Sequence, residues 1–342
     1  MSDYEKISIY VPHSTKHKLE EDARLFEVFK HRNLEINLNR FLGNLLLGYY
    51  DQFDIDTRRS IGLISDVLKK HVRKVIPNEI EGTALEIVRT LSTTLNTHGE
   101  KSERLSLKPT SATIAVINLI RNTNTSDSIS NSFVRIFDSY FQKPTYRREQ
   151  IIYKDKYDSL QSSIFQNRTI TFSTTKNPDI RHIVFPYMIT TGTDELFNYL
   201  LCAERDNDSG ELKAKSYRLC RITNVHINRE TIELSNIVKQ RLDKMSIYGP
   251  AYEINDNDEC CVFLTKEGHK SYSMVYSQRP PYKNIIPVKD GYLYFFDCSK
   301  EHVERYFRRF NPIDVIIKSP DSLRNSFCTY FENGLKQYVN NQ

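Results

Sequence analysis

Between residues 168 and 228 the sequence alternates short apolar stretches with turn residues. The stretches are rich in β-branched and aromatic residues, and the breaks between them fall at Asn177-Pro178, at Thr191-Gly192 and at the run from Asp208 to Gly210. Short segments of this composition, separated by turns, are typical of antiparallel strands. The sequence therefore predicts a β-meander that forms a small sheet or half-barrel.

Three arginines lie inside these predicted strands, at positions 181, 218 and 221. Because side chains alternate along a strand, Arg218 faces one way and Arg221 the other. A strand holds a guanidinium group in a fixed orientation, which suits a phosphate ligand. Periodicity alone leaves a second interpretation equally open, in which these arginines form structural ion pairs at the rim of the sheet.

The order of these residues resembles the WYL domain of prokaryotic regulators, over roughly residues 158 to 228. Three segments occupy the positions of the family's motifs: Val184-Phe185-Pro186, Asn198-Tyr199-Leu200, and Tyr-Arg-Leu-Cys-Arg-Ile over residues 217–222. Asn198 stands where the motif has Trp, and the chain contains no Trp at all. An aromatic wall of the family's pocket is therefore missing here or supplied by another residue.

The resemblance implies a basic pocket for a nucleic acid or a nucleotide-like ligand. It assigns Tyr199, Arg218 and Arg221 to the phosphate and base of a single-stranded nucleic acid, with Arg181 and Phe172 as neighbours. The odd spacing of Arg218 and Arg221 would need a bulge between them if both are to face one ligand.

The first predicted domain covers residues 1–53. Residues 5–11 alternate strictly, which predicts a strand with Ile7, Ile9 and Val11 on one face and Lys6, Ser8 and Tyr10 on the other. A helix follows over residues 14–29. Asn37 or Asn39 then caps a second helix, whose apolar stripe follows the helical period: Leu38, Phe41, Leu42, Leu45, Leu46 and Tyr49.

One strand and two helices cannot bury a core alone, so we expect this domain to form a homodimer. The pattern resembles the ribbon-helix-helix fold, in which strands from two chains pair into an antiparallel ribbon. In that family the ribbon enters the DNA major groove, which assigns base reading to Lys6, Ser8 and Tyr10. Tyr10 is not a usual base reader, so DNA reading and dimerisation alone both remain open.

Three further domains are predicted: a helical connector over 54–150, a WYL domain over 151–230, and a helical linker with a C-terminal extension over 231–342. The extension carries strands and helices in the order βαββαβ, which is typical of a ferredoxin-like sandwich. It also resembles the extension that follows many WYL domains. The predicted fold class is therefore multidomain α+β: ribbon-helix-helix, helical linker, small β-meander or half-barrel, and ferredoxin-like C-terminal domain.

The charge balance permits a polyanionic partner without requiring one. Lys and Arg number 48 against 43 Asp and Glu, a net charge of +5. The six cysteines show no C-x-x-C spacing and no paired spacing with His that suits zinc, so we expect reduced thiols in a cytoplasmic protein. No apolar run approaches the ~20 residues of a membrane helix, and the N-terminus does not resemble a signal peptide.

The sequence carries no common catalytic motif. A Walker loop, H-E-x-x-H, G-x-S-x-G and paired carboxylates are all absent from it. Arg221 and His226 match the R-x4-H spacing of some ribonucleases, where both residues lie on a helix. On a strand, that odd spacing sends the two side chains to opposite faces. We therefore expect a non-enzymatic protein with no catalytic residue, no metal and no cofactor.

Together these domains resemble two groups of proteins. One consists of WYL transcriptional regulators, which bind operators and respond to a ligand. The other consists of WYL accessory proteins beside the RNA-guided ribonucleases of type VI CRISPR loci, which carry a ribbon-helix-helix N-terminus and bind single-stranded RNA. The N-terminal pattern favours the accessory group, with single-stranded RNA or DNA and an effector ribonuclease as partners. A ligand sensor without nucleic-acid contacts stays open, because +5 is a modest charge.

Overall fold

The computed structural model describes residues 5–30, 33–71, 77–94, 102–123, 128–191, 196–205, 210–250, 259–275 and 279–339. Helices and several small antiparallel sheets make up a mixed α+β structure, which confirms the predicted class. The chain divides into two compact units, residues 1–158 and residues 159–342.

The first unit begins with β1 (Ile7–Pro12), α1 (His13–Leu25) and a short hairpin of β2 (Phe29–Lys30) and β3 (Asn33–Ile36). Two helices come next, the long α2 (Leu38–His71) and α3 (Pro77–Thr94). The unit continues through β4 (Ser102–Leu107), α4 (Ser111–Thr123), α5 (Ile129–Phe141) and α6 (Thr145–Ile152). Helix α7 (Lys154–Phe165) then leads towards the second unit.

Strand β1 pairs antiparallel with β4 of the same chain, from Ile7 opposite Leu107 to Pro12 opposite Ser102. The expectation that residues 54–150 are helical throughout is therefore wrong at β4. Its six residues alternate, and they bury only Leu105 and Leu107. Such a short alternation becomes recognisable as a strand only beside its partner, which lies more than ninety residues earlier in the chain.

The apolar stripe at the start of α2 is covered within the chain. Its residues Phe41, Leu42, Leu45, Leu46 and Tyr49 are all buried. The ring of Tyr140 on α5 packs 6.4 Å from that of Phe41 and 6.2 Å from that of Tyr49. The stripe therefore needs no second chain to cover it, because α5 of the same chain packs against it.

The ribbon-helix-helix arrangement expected for residues 1–53 also differs from the structure. One edge of β1 is occupied by β4, and on β1 the backbone N–H of Tyr10 donates to the hydroxyl oxygen of Ser130 at 3.0 Å. Helix α2 continues past residue 53 to His71, so the predicted domain boundary falls inside a helix. The predicted cap is confirmed at Asn37, whose side-chain oxygen accepts from the Arg40 N–H at 3.0 Å.

A buried ion pair joins α1 to α6. The Asp22 carboxylate accepts two hydrogen bonds from Arg148, at 2.9 and 2.7 Å, and one from the Tyr140 hydroxyl at 2.9 Å. Burial raises the pKa of Asp22, while the Arg148 charge and the Tyr140 hydrogen bond act against that rise. The carboxylate, which is almost fully buried, is therefore paired on both oxygens.

The predicted meander forms the first sheet of the second unit. Its strands are β5 (Ile170–Thr174), β6 (His182–Thr191), β7 (Asn198–Arg205), β8 (Leu212–Arg218) and β9 (Ile222–Ile227). All neighbours are antiparallel, in the order β8-β7-β6-β5-β9. A 3-10 turn at Leu219–Arg221 separates β8 from β9, and α8 (Asn236–Tyr248) packs on β6, β7 and β8.

The C-terminal elements follow the βαββαβ order that the sequence predicts. They are β10 (Cys260–Thr265), α9 (Lys266–Met274), β11 (Asn284–Val288), β12 (Gly291–Phe296), α10 (Lys300–Phe307) and β13 (Val315–Ser319), followed by α11 (Asp321–Val339). The four strands form an antiparallel sheet in the order β11-β12-β10-β13. The two central strands are therefore β10 and β12.

Two negative findings apply to the described residues. No helix among them is both long enough and apolar enough to cross a membrane. All six cysteines fall within the described part of the chain and are free thiols, of which Cys202, Cys220, Cys260 and Cys298 are buried.

A glycine on α2 permits close packing against α6. A methyl group on Gly48 would lie 2.1 Å from the carbonyl oxygen of Ile151. We expect Gly48→Ala to push the backbones apart and to lower the free energy of unfolding by about 1–3 kcal/mol, measured by urea denaturation. Gly62→Ala is the matched control, because it lies on the same helix with nothing within 4 Å of the added methyl. Equal stability of the two variants would contradict the prediction.

Candidate nucleic-acid interface

The five-stranded sheet is strongly curled. Phe172 on β5 and Tyr217 on β8 lie three strands apart in the sheet order, which in a flat sheet is ~14 Å. Their ring centroids are 4.9 Å apart, with the rings edge to face. The His182 ring stacks on Phe172 at 5.4 Å and lies 5.1 Å from Tyr217. These three rings therefore fill the concave side of the sheet.

A carboxylate lies among these rings. Glu204 on β7 accepts a hydrogen bond from the Tyr217 hydroxyl at 2.6 Å and lies 2.8 Å from Nδ1 of His182. The ammonium group of Lys215 is 3.1 Å from the same carboxylate. Burial by itself would raise the pKa of Glu204, but the hydrogen bonds from Tyr217, His182 and Lys215 outweigh burial, so the pKa lies below its ordinary value. Glu204 is therefore a partly buried anion with three donors.

The 3-10 turn changes the expected relation between Arg218 and Arg221. Arg218 is the last residue of β8, whereas Arg221 ends the turn, and strand alternation no longer relates the two. The backbone carbonyl of Arg221 accepts from the Thr175 N–H at 2.9 Å. An irregular connection does lie between the two arginines, although it is a helical turn rather than a bulge.

Tyr199 and Arg218 are direct cross-strand partners, so they lie on one face of the sheet. The Arg218 guanidinium also stacks on the ring of Phe197, 3.4 Å from its centroid. Phe197 was missed in the sequence analysis. It immediately precedes Asn198, which is buried and which alternation turns towards the other face of the sheet. Phe197 therefore does not replace an aromatic side chain at position 198, but Phe197, Tyr199 and Arg218 form a compact group.

The remaining predicted pocket residues lie elsewhere on the sheet. Phe172 is buried, and its ring contacts Tyr217, so alternation places it on the face opposite Arg218. Arg181 is exposed and lines a recess of about 540 Å³. The other lining residues are Thr171, Phe172, Ser173, Pro178, Asn224, His226 and Asn228. The structure therefore brings Tyr199 and Arg218 together and places Arg181 in a separate depression.

Arg221 and His226, the pair with R-x4-H spacing, do not lie on one strand as the sequence suggested. Arg221 lies on the 3-10 turn and only His226 lies on a strand, so the argument from strand alternation does not apply. His226 lines the recess beside Arg181, and Arg221 does not. In the part of the chain that the structure describes, no three His, Cys, Asp or Glu side chains are grouped to hold a metal ion.

The predicted ribbon residues share a face of β1, as the alternation indicated. Lys6 and Tyr10 are exposed, Ser8 is half-buried, and Ile9 and Val11 point into the core. Arg104 on β4 lies directly opposite Tyr10 and is also exposed. Arg104 was missed because β4 was not recognised. The face therefore belongs to a two-stranded ribbon formed within one chain.

No protein-family model and no curated protein matches this chain. A solved structure described as "Crystal structure of a CRISPR Cas-related protein" superposes with a TM-score of 0.64, covering 98% of this chain and 95% of that one at 18% identity. The chain therefore shares the fold of that protein. Proteasome accessory factor B/C (PafBC) of Arthrobacter aurescens matches 69% of this chain and 37% of its own at 13% identity, with a TM-score of 0.28, which supports no structural argument.

The Glu204 network makes a testable contribution to stability. Glu204→Gln removes the charge that Tyr217, His182 and Lys215 share, so we expect a loss of about 1–3 kcal/mol of unfolding free energy at pH 7. Because folding lowers the pKa of Glu204 below its ordinary 4.5, the ionised carboxylate stabilises the folded protein at pH values above 4.5. This stability is lost as the pH falls through the folded-state pKa. The difference between wild type and variant should therefore shrink below pH 4.5 in thermal melts.

Glu233→Gln is the matched control, because Glu233 is an exposed glutamate of the same unit. Its melting temperature should equal that of the wild type at each pH. A Glu204→Gln difference that persists unchanged in acid would show that the charge is not what stabilises the sheet.

Proposed function

We propose that this protein is a non-enzymatic accessory protein that binds single-stranded RNA through the Phe197, Tyr199 and Arg218 group. The stacking of Arg218 on Phe197 carries the proposal. It holds a permanently charged fork in one orientation, next to a tyrosine on the same face. A fixed guanidinium group suits a phosphate, and an adjacent aromatic ring suits an unpaired base.

The proposed partner is an RNA-guided CRISPR ribonuclease, whose activity this protein would modulate. The support is the shared fold with a protein described as CRISPR Cas-related. An RNA held at the sheet surface would raise the local concentration of substrate near such an effector, without any catalytic group on this chain. Cleavage by the purified effector, measured with and without this protein, tests that role directly.

The RNA proposal makes a prediction about Arg218. Arg218→Ala removes a charged phosphate contact, which is worth about 1.5–3 kcal/mol, or roughly ten- to a hundredfold in affinity. Fluorescence anisotropy with a labelled oligouridine over a salt series should show weaker binding and a flatter salt dependence. Arg221→Ala is expected to have a smaller effect, because Arg221 lies on the turn outside the stacked group.

Arg229→Ala is the matched control, since Arg229 is exposed just beyond β9. Thermal melting checks that each variant folds. If Arg218→Ala and Arg221→Ala both bind RNA like the wild type, the five-stranded sheet is not the RNA site. The double variant Lys6→Ala, Tyr10→Ala distinguishes an RNA-binding accessory protein from a DNA-binding regulator. An accessory protein should still bind single-stranded RNA when it carries these changes.

A ligand-responsive DNA-binding regulator is the second candidate. The observation that favours it is the face of β1 and β4, where Lys6, Tyr10 and Arg104 are exposed on adjacent strands. A two-stranded ribbon of this width can enter the major groove. In that case the Lys6→Ala, Tyr10→Ala variant should lose binding to a specific duplex, which footprinting upstream of the protein's own gene would detect.

We also propose a homodimer, now placed on the second half of α2. Three exposed apolar residues lie along one side of this helix: Ile55 at 58%, Leu63 at 62% and Val67 at 57% exposure. Acidic residues precede this stripe and Lys69, Lys70 and His71 follow it. Antiparallel pairing with a second copy would place each acidic end beside a basic end.

Light scattering of the intact protein should therefore give about twice the chain mass of 40.2 kDa. Leu63→Glu places a charge inside the proposed contact and should give a monomer. Lys336→Glu introduces the same carboxylate at an exposed position of α11, outside the proposed α2 contact, and should leave the mass unchanged. A wild-type monomer at micromolar concentration would rule out the dimer.

A further inference from the structure

The C-terminal sheet buries one face under its own helices and leaves the other open. Alternate residues of β10, β12 and β13 point into the core, and Ile285 of β11 packs against them: Cys260, Val262, Leu264, Tyr294, Phe296, Val315 and Ile317. Helices α9 and α11 pack on the strands of this sheet. The residues between these positions must point to the opposite face, because successive side chains alternate.

The open face presents two phenylalanines on its central strands. Phe263 lies on β10 opposite Leu293, and Phe295 lies on β12 opposite Cys261. The two phenylalanines are therefore diagonal neighbours on adjacent strands, a separation of about 7–8 Å. Both are half-buried, as rings lying on a sheet surface would be. Two unpaired bases of one strand can stack at this spacing.

Aliphatic residues border the two rings on the edge strands. Ile316 on β13 is 45% exposed and faces Phe263, and Ile286 on β11 is 42% exposed and faces Leu293. Because these side chains remain open to solvent on both sides of the phenylalanines, the surface is accessible across all four strands.

Lysines lie at two sides of the same surface. The ammonium group of Lys318 is 5.7 Å from the centroid of the Phe263 ring. The backbone N–H of Lys283 donates to the carbonyl of Phe295 at 2.7 Å, and its exposed ammonium group lies 3.1 Å from the Glu259 carboxylate. An exposed ion pair of this kind is weak and can exchange its carboxylate for a phosphate.

We propose that this open face binds single-stranded RNA, with two bases stacked on Phe263 and Phe295 and the phosphates contacted by Lys318 and Lys283. Four-stranded sheets with this βαββαβ connection bind RNA in other proteins by stacking bases on aromatic side chains of the central strands. The rings here occupy the same two strands. Leu293, directly opposite Phe263 on β12, is not aromatic, so the central strands offer two rings for stacking.

The position of the cations favours RNA over a protein partner. A protein–protein interface is expected to place its aromatic anchors at a centre that is depleted of charged residues. Here Lys318 lies beside the central ring itself, where a backbone phosphate would follow a stacked base. A surface that combines stacking rings with flanking cations is the usual arrangement for unpaired nucleic acid.

This surface is separate from the Arg218 group, which lies on the five-stranded sheet. The inference does not depend on the proposed function, and the two can fail independently. If both proposals are correct, the second unit contacts RNA at two places, the Arg218 group and the open face of the C-terminal sheet.

Phe263→Ala and Phe295→Ala, made in the full chain, should each weaken binding of a labelled oligouridine about tenfold. Phe263→Tyr keeps a stacking ring and should bind like wild type. Ile313→Ala is the matched control, since it removes an exposed apolar side chain from the same domain outside the four strands. Melting temperatures separate lost contacts from lost folding. The same oligomer as DNA tests whether the ribose hydroxyl matters.

A fluorescent reporter gives a second readout. The chain has no Trp, so Phe295→Trp introduces a single indole on the proposed surface. Stacked bases should quench its emission as oligouridine is added, in the wild-type background and in Arg218→Ala alike. Persistent quenching with Arg218→Ala would support this surface even if the Arg218 group proves not to bind RNA.

The proposal is overturned if the two alanine variants bind RNA like wild type and the indole emission does not respond. If Phe263→Ala then halves the mass in light scattering, the face joins two copies of this chain instead. Loss of RNA binding in Arg218→Ala alone, with both phenylalanine variants unaffected, would leave the proposed function in place and remove only this second surface.

Discussion

A partly buried carboxylate links three neighbouring strands of the curled five-stranded sheet. Glu204 on β7 takes donors from the strands on either side, His182 from β6 and Tyr217 with Lys215 from β8. An unpaired carboxylate at this place would cost several kcal/mol. The charge is therefore stable only while three strands stay in register and the sheet stays curved.

That curvature decides which side chains meet. It brings Phe172 and Tyr217 into contact on the concave side, and alternation then places Arg218 and Tyr199 on the opposite face, which they share with the buried residues Leu201 and Ala203. Phe197 completes the Arg218 group by stacking on its guanidinium. Tyr199 and Arg218 are therefore held by two paired strands of this sheet, and Phe197 lies directly before β7.

In the first unit, too, a paired carboxylate joins elements that lie far apart in the chain. Asp22 is buried between Arg148 and Tyr140, which joins the N-terminal helix to elements more than a hundred residues later. Together with the β1–β4 pairing, this contact assembles the N-terminal segment with the helical region that follows. The segment that resembled an independent dimerisation domain is therefore part of a larger core.

The sequence by itself determined the local elements: the strand at β1, the meander and the βαββαβ order all follow from periodicity and turn residues, whereas it narrowed the helix cap only to Asn37 or Asn39. Tertiary structure decided the partners. It paired β1 with β4, placed a 3-10 turn between Arg218 and Arg221, and separated Arg181 from Tyr199 and Arg218. The reason is physical: alternation specifies the face on which a side chain lies, but long-range pairing and sheet curvature depend on contacts between residues far apart in the chain.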